Sequence, residues 1–328
     1  MTIHDALEKL TDAVRLRHFS LATEKSYAMW LRSYMEAVQG VPAEWSSERK
    51  VESFLTAEAR RGVAASTQTQ AFNAVNFFYQ EVLRMPLGEI KAARARRPER
   101  VRTALGVEEM RALLGVMEDY AGYPTRLVTL LIYGCGLRVT EPLELRLKDV
   151  EWAEGRLAIR GAKGGKDRVV ELPRSLREAM EGQMRLARAV WRGDAEAGLP
   201  VAMPGLLARK SPRMALTAGW AWVFPAHAPM KHPRTGERVR WRMHEAQVQR
   251  AVRVAAVKAG LTARVTPHVL RHCYATHAHQ AGAAVRDLQV AMGHTHLDTT
   301  MRYLAPSATG VRSPLDALAG DFFSRPGS

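Results

Sequence analysis

The 328-residue chain carries 48 Lys and Arg against 33 Asp and Glu, a net charge of +15, and is 47% hydrophobic and 25% charged. That composition excludes a disordered chain and reads as a globular protein long enough for two domains. A surface so basic attracts polyanions, of which DNA is the densest common one.

Other classes fall away on simple grounds. The longest apolar stretch, Leu127 to Gly136, is too short to span a bilayer. Met1-Thr-Ile-His-Asp lacks the basic start and apolar core of a signal peptide. Two cysteines, Cys135 and Cys273, cannot build a disulfide framework and read as reduced thiols. The sequence therefore predicts a cytoplasmic protein with no membrane partner.

Taken in chain order, residues 1–92 predict a small helical domain. Tyr27, Trp30, Leu31 and Tyr34 fall at i, i+3, i+4, i+7, with Ser20 as N-cap. Val51, Phe54, Leu55 and Ala59 make a second stripe, interrupted by Glu58 and stopped at Gly62; Ala71, Ala74, Val75 and Phe78 make a third. Residues 93–103 are a basic linker without an apolar stripe, and Arg94, Arg96 and Arg97 there could lie along phosphates.

A second domain follows over 104–328. Met110, Leu113, Leu114 and Met117 predict a core-facing helix, and 124–136 a buried one. Arg156–Arg160 and Arg168–Leu172 predict two strands joined by the Gly-rich turn 161–167. Residues 174–192 predict a helix. About 193–245 is irregular and rich in Pro, Gly, Trp and Arg, and helical pattern resumes at Glu245–Ala259. The fold class is mainly α with a small antiparallel β-sheet.

An ordered series of polar residues carries chemistry: Arg138, Lys163, His268, Arg271, His294 and Tyr303. Phosphodiester transfer puts extra negative charge on the non-bridging oxygens, which two guanidinium groups can neutralise bidentately. A phenol titrates near ~10, so clustered cations are needed to favour phenolate, with an acid for the departing 5′-hydroxyl and a base for the phenol proton. His268 and Arg271 are three apart and share a helix face, and Thr266-Pro267 is a good helix start. Each piece alone is common; order and separation together carry the reading.

The segments Gly136-Leu-Arg-Val-Thr-Glu141, Lys163-Gly-Gly-Lys-Asp-Arg168, His268-Val-Leu-Arg-His272, Leu288-Gln-Val-Ala-Met-Gly-His294 and Thr299-Thr-Met-Arg-Tyr303 resemble the active-site boxes of the tyrosine recombinases, the phage integrase family. The resemblance implies a two-domain C-clamp, an N-terminal helical core-binding domain followed by a catalytic domain. It implies a 3′-phosphotyrosine on Tyr303, Arg138 and Arg271 clamping the phosphate, and Lys163 as acid, with Lys166 a possible stand-in. His268 would assist as acid or base, His294 would hydrogen-bond the phosphate, and Arg168 would lie against DNA. It further implies a homo-tetramer on DNA and no cofactor, neither ATP nor a metal.

The chain is similar in particular to the integron integrases, through Met203-Pro-Gly-Leu-Leu-Ala-Arg-Lys210, Trp220-Ala-Trp-Val-Phe-Pro225, His232-Pro-Arg-Thr-Gly236 and His244-Glu-Ala-Gln-Val-Gln-Arg-Ala251. That likeness implies a bacterial, nucleoid-associated enzyme that pairs a duplex primary site with a folded single-stranded cassette site. The 193–245 insertion would grip extruded bases, with Arg209, Lys210, Trp220, Trp222, Arg240, Trp241 and Arg242 as candidate contacts. Stacking a base on an aromatic ring is worth roughly 1–3 kcal/mol. The competing reading of Trp-Ala-Trp-Val-Phe is a strand whose aromatics fill the core. The chain departs from the pattern at Trp241-Arg242, where a His pair is common, and at Leu304-Ala-Pro306.

Rival functions are a duplex-specific Xer-like recombinase, a catalytically silent DNA-binding relative, a topoisomerase using the same chemistry, and a metal site on His268, His272, Cys273, His277 and His279. A silent relative should have lost an Arg or the Tyr, and none is lost here. The metal reading lacks the Glu of His-Glu-x-x-His and leaves the arginines unused.

Overall fold

The computed structural model describes residues 1–93, 104–161, 167–205 and 207–293. The chain forms two compact units, Met1–Val101 and Arg102–Ser328.

The first unit is built from α1 (Ile3–Leu16), α2 (Leu21–Val38), α3 (Ser47–Arg60), α4 (Ala65–Phe77) and a single π turn, Phe78–Val82. Side-chain caps start three of the helices: Thr2 with Asp5 in a reciprocal box, Ser20 accepting from the Thr23 N–H, and Ser46 from that of Arg49. Gly62, at φ +76, ends α3 in a left-handed turn that a Cβ would strain. The predicted stripes meet in one core of Trp30, Leu31, Tyr34, Val51, Phe54, Leu55, Ala71, Ala74, Val75 and Phe78. Helix α1, which no aromatic marks in the sequence, adds Ala6, Leu10 and Val14. Glu58 does not break the second stripe: it is buried, and its carboxylate accepts from Arg61 at 2.8 Å.

The second unit holds α5 (Val107–Gly115), the buried α6 (Thr125–Cys135), the short α7 (Thr140–Leu143) and the antiparallel sheet β1 (Val150–Glu151), β2 (Arg156–Ile159) and β3 (Arg168–Glu171). Helices α8 (Arg177–Glu196) and α9 (Leu207–Lys210) follow, then the hairpin of β4 (Met230–Lys231) and β5 (Arg238–Val239), and α10 (Glu245–Lys258), α11 (Pro267–Gln280) and α12 (Val285–Met292). One large core spans α5, α6, β2, β3, α8, α10 and α11, and includes Val223 and Phe224. The insertion is less irregular than its composition predicts: two small clusters, Val201–Met203–Ala215 and Ala202–Trp222–Val239, give it a core of its own.

Where this unit begins, Leu105 buries its side chain in the large core and is held by its backbone as well. Its N–H donates to the Cys273 sulfur at 3.2 Å, and its carbonyl accepts from Nε2 of His277 at 2.8 Å. The hydroxyl of Tyr133 completes the chain on Nδ1 of the same ring at 2.9 Å. All three side chains are buried, and burial pushes the Cys273 thiol up to about 11.

Candidate active site

Helix α6 ends at Gly136, whose φ of +64 turns the chain sharply. A Cβ there would overlap the ring carbons of Tyr274, so only glycine allows this close crossing of α6 and α11. Leu137 drops into the core, and Arg138 emerges beside the first turn of α7, which carries Glu141.

Glu141 is buried and surrounded by cations. Its Oε2 accepts the Arg138 backbone N–H at 2.7 Å and its Oε1 accepts the Arg138 guanidinium at 2.8 Å. Arg168, which opens β3, donates to both oxygens, at 2.9 and 2.7 Å. The Arg271 guanidinium lies 3.6 Å from Oε2. Burial works against the charge on Glu141, but the hydrogen bonds and charge of Arg168, with those of Arg138, hold its carboxyl below the usual range.

The same three arginines close on the end of α12. Nε of Arg168 donates to the carbonyl of Ala291 at 2.7 Å. Arg271 donates to Met292 at 2.6 Å and to Gly136 at 2.9 Å. Arg138 reaches Met292 at 3.4 Å and Gly293 at 3.0 Å. The carbonyl end of a helix favours cations, so α12 and Glu141 together explain why three like charges converge. Burial, and Arg138 beside it, lower Arg271 to about 10, which leaves it cationic at neutral pH. Exposure separates the roles: the side chain of Arg138 is 27% exposed, those of Arg271 and Arg168 only 4% and 8%.

His268 sits exposed in the first turn of α11, three residues before Arg271; Thr266 caps that helix through the Val269 N–H and Pro267 takes its first position. The structure thus brings Arg138 and Arg271 together and places His268 on the second arginine's helix. Lys163, Lys166, His294, Tyr303, Arg94, Arg96 and Arg97 lie outside the described residues.

Three expected DNA contacts are corrected. Arg168 is turned inward and holds Glu141, as above. Trp222 is a core residue: its indole N–H donates to the Arg240 carbonyl at 3.1 Å and the Arg146 guanidinium covers its ring. Arg240 is buried, with Nε and Nη2 of one guanidinium edge on the two oxygens of Asp194 at 2.6 Å each and Nη1 on the carbonyls of Ala226 and His227. The strand-like reading of this stretch holds for Trp222, Val223 and Phe224, whose backbone crosses residues 145–147.

Trp220, by contrast, is half-buried with Nζ of Lys148 3.1 Å from its ring centre. Trp241 is half-buried against His232, and Arg209 and Lys210 are exposed on α9. Arg242 is half-buried between Glu144 at 3.4 Å and Glu245 at 3.6 Å.

The sequence reading missed the inward direction of Arg168 and missed Arg146 altogether. Arg168, Val170 and Leu172 alternate on one strand face, and that face is the core face, which is the signal for an inward Arg168. Arg146 is buried, donating to the carbonyls of Trp220 and Ala202 at 2.7 Å each; nothing in its local spacing announces that. As for the metal reading, Cys273 and His277 point inward to Leu105, and among the described residues no group of three or more His, Cys, Asp or Glu side chains is placed to hold an ion. Among them too, no helix is long and apolar enough to cross a membrane.

Comparison with known proteins adds family evidence. Residues 104–309 match the phage integrase family, and residues 6–89 match the phage integrase N-terminal SAM-like domain. An "Integrase/recombinase" of Escherichia coli is 39% identical over 95% of this chain and 93% of its own length. "Tyrosine recombinase XerC" of Syntrophus aciditrophicus is 27% identical over 92% of both chains. The fold is shared with a lambda integrase dimer solved on a COC′ core site, at a TM-score of 0.59 and 16% identity, covering 94% of this chain and all of that one.

Proposed function

The chain belongs to the phage integrase family and is a tyrosine-type site-specific DNA recombinase, and from that premise we propose that Tyr303 is its nucleophile and integron-type cassette sites its substrate. The observation that carries the chemistry is the meeting of Arg138 and Arg271 on the Met292 carbonyl. From there, two guanidinium groups can face a phosphate held at the exposed Arg138.

In the proposed step the phenol oxygen of Tyr303 bonds to the scissile phosphorus as its proton passes to a base. The bond from phosphorus to the 5′-oxygen breaks, and Lys163 protonates that oxygen. Lys166, on the same turn, is the stand-in. His268 assists proton transfer, and His294 donates to the phosphate. The energy of the broken phosphodiester is kept in the phosphotyrosine link, so a partner strand's 5′-hydroxyl can reverse the step without ATP. Four protomers would act on two DNA sites in the bacterial cytoplasm, with Arg94, Arg96 and Arg97 along the backbone.

The insertion supports the cassette reading. Trp220 and Trp241 are half-buried rather than core residues, with Arg209, Lys210 and Arg242 near them in sequence, and a base could stack where their rings reach the surface. A strand-transfer assay tests both levels. The folded bottom strand of a cassette site should be recombined in preference to its duplex, and Tyr303→Phe should bind that DNA yet leave no covalent adduct on a denaturing gel. Preference for duplex would favour a Xer-like specificity, which the likeness to XerC supports. An adduct persisting in the variant would move the nucleophile elsewhere.

A further inference from the structure

Arg168 lies at the centre of the cluster with Nε, Nη1 and Nη2 all bound to protein acceptors. Its side chain is almost fully buried, both terminal nitrogens are bound to Glu141, and its Nε is bound to Ala291. It is tightly enclosed: a Cβ on Gly293 would press its guanidinium at 3.2 Å. It opens less surface to solvent than Arg138 does, yet it makes as many hydrogen bonds to Glu141 as Arg138, two, while Arg271 only approaches Oε2 at 3.6 Å.

The charge balance shows what it does. Three guanidinium groups face one carboxylate, a surplus of two positive charges. Glu141 is needed to orient Arg138, because it takes both that residue's backbone N–H and its Nη1. A carboxylate so placed also cancels one positive charge beside the phosphate site. Arg168 supplies a compensating charge from behind. It saturates both oxygens from the strand side, so Glu141 can hold Arg138 without neutralising it. With Arg168 absent, the surplus falls to one just where a pentavalent phosphate gathers extra negative charge.

We propose that Arg168 is a positioning residue for strand cleavage, which keeps the charge of Glu141 from being spent on Arg138 and thereby keeps two positive charges available to the transition state. The inference rests on the phosphotyrosine reading above.

The test is the single-turnover rate of adduct formation at saturating DNA, on a site oligonucleotide nicked so that the released 5′-hydroxyl fragment diffuses away. R168Q should form adduct more than about tenfold slower than the native protein, with DNA affinity unchanged. E141Q/R168Q removes the carboxylate as well and restores the surplus, so it should regain at least half of that loss on a logarithmic scale. Rates are compared per folded molecule, with the folded fraction read by urea unfolding: a merely structural role predicts recovery of stability in the double variant and none in that rate.

A loss under tenfold in R168Q, or no recovery in the double variant, overturns the proposal. Removing both partners of a buried pair is gentler than removing one. If R168Q does not fold, the double variant decides alone: a rate within about 30-fold of native supports the proposal and a slower one overturns it. No adduct with the native protein would overturn the phosphotyrosine reading itself. A native adduct with an unimpaired R168Q sinks this inference only.

Discussion

Among the described residues of the second unit two arginine-carboxylate clusters are buried, and their stoichiometry differs. Around Glu141, three guanidinium groups share one carboxylate and the carbonyls that end α12, and one of them, Arg138, keeps part of its surface in solvent. Around Asp194, one guanidinium meets one carboxylate edge to edge, and the carbonyls of Ala226 and His227 take the remaining donor of Arg240. The first cluster has charge left over and a face to present it; the second is closed and neutral. A buried arginine by itself therefore says little. What separates a site from a fastening is whether its donors outnumber the acceptors the fold provides.

That contrast can be broken by substitution. The largest effect should come from Arg271→Ala, at a residue proposed to clamp the phosphate: the rate of adduct formation should fall by about 10²–10³ or more, read by single-turnover gel assay. Asp194→Ala should act on folding instead. It strands a buried guanidinium and should cost about 3–5 kcal/mol in urea unfolding, while the adduct rate per folded molecule stays near native. If Asp194→Ala slowed chemistry as much as Arg271→Ala, the division into site and fastening would be lost.

The smallest effect sharpens the electrostatics. The carboxyl of Glu141 is held below its ordinary value in the fold, so its ion pairs stabilise at pH above the ordinary carboxylate range and lose that contribution as pH falls through the depressed value. The stability gap between the native protein and Glu141→Gln should therefore narrow between about pH 7 and about pH 3. A gap that widened toward acid would reverse the sign assigned to this group.

Much of the frame was legible because it follows from period and punctuation. The stripes at Tyr27–Tyr34 and Met110–Met117, the cap at Ser20, the stop at Gly62 and the buried run of α6 each express a local rule. That Arg138 and Arg271 belong together was legible from their order in the chain, and they meet on the Met292 carbonyl. What local pattern could not give was direction. Arg168 and Arg240 look like DNA contacts in a basic chain and turn out to be buried, because their carboxylate partners lie 27 and 46 residues away. Trp222 and Trp220 differ by two positions, yet one is buried and the other half-buried, since the 145–147 segment pairs with Trp222 and Arg146 covers its ring. Arg146 was invisible for the same reason: its partners at Ala202 and Trp220 are brought to it only by tertiary folding.

The clasp on Leu105 has a practical consequence. Cys273 and His277 grip peptide atoms, so the identity of the side chain at that position is immaterial to the two hydrogen bonds. They ride on α11, the helix that bears Arg271. A graft of a foreign amino-terminal module onto this catalytic unit should accordingly be spliced ahead of Ala104. Fused there, the donor chain inherits the native anchorage; fused further along, it would leave a thiol and an imidazole without their amide and carbonyl on the helix that bears Arg271.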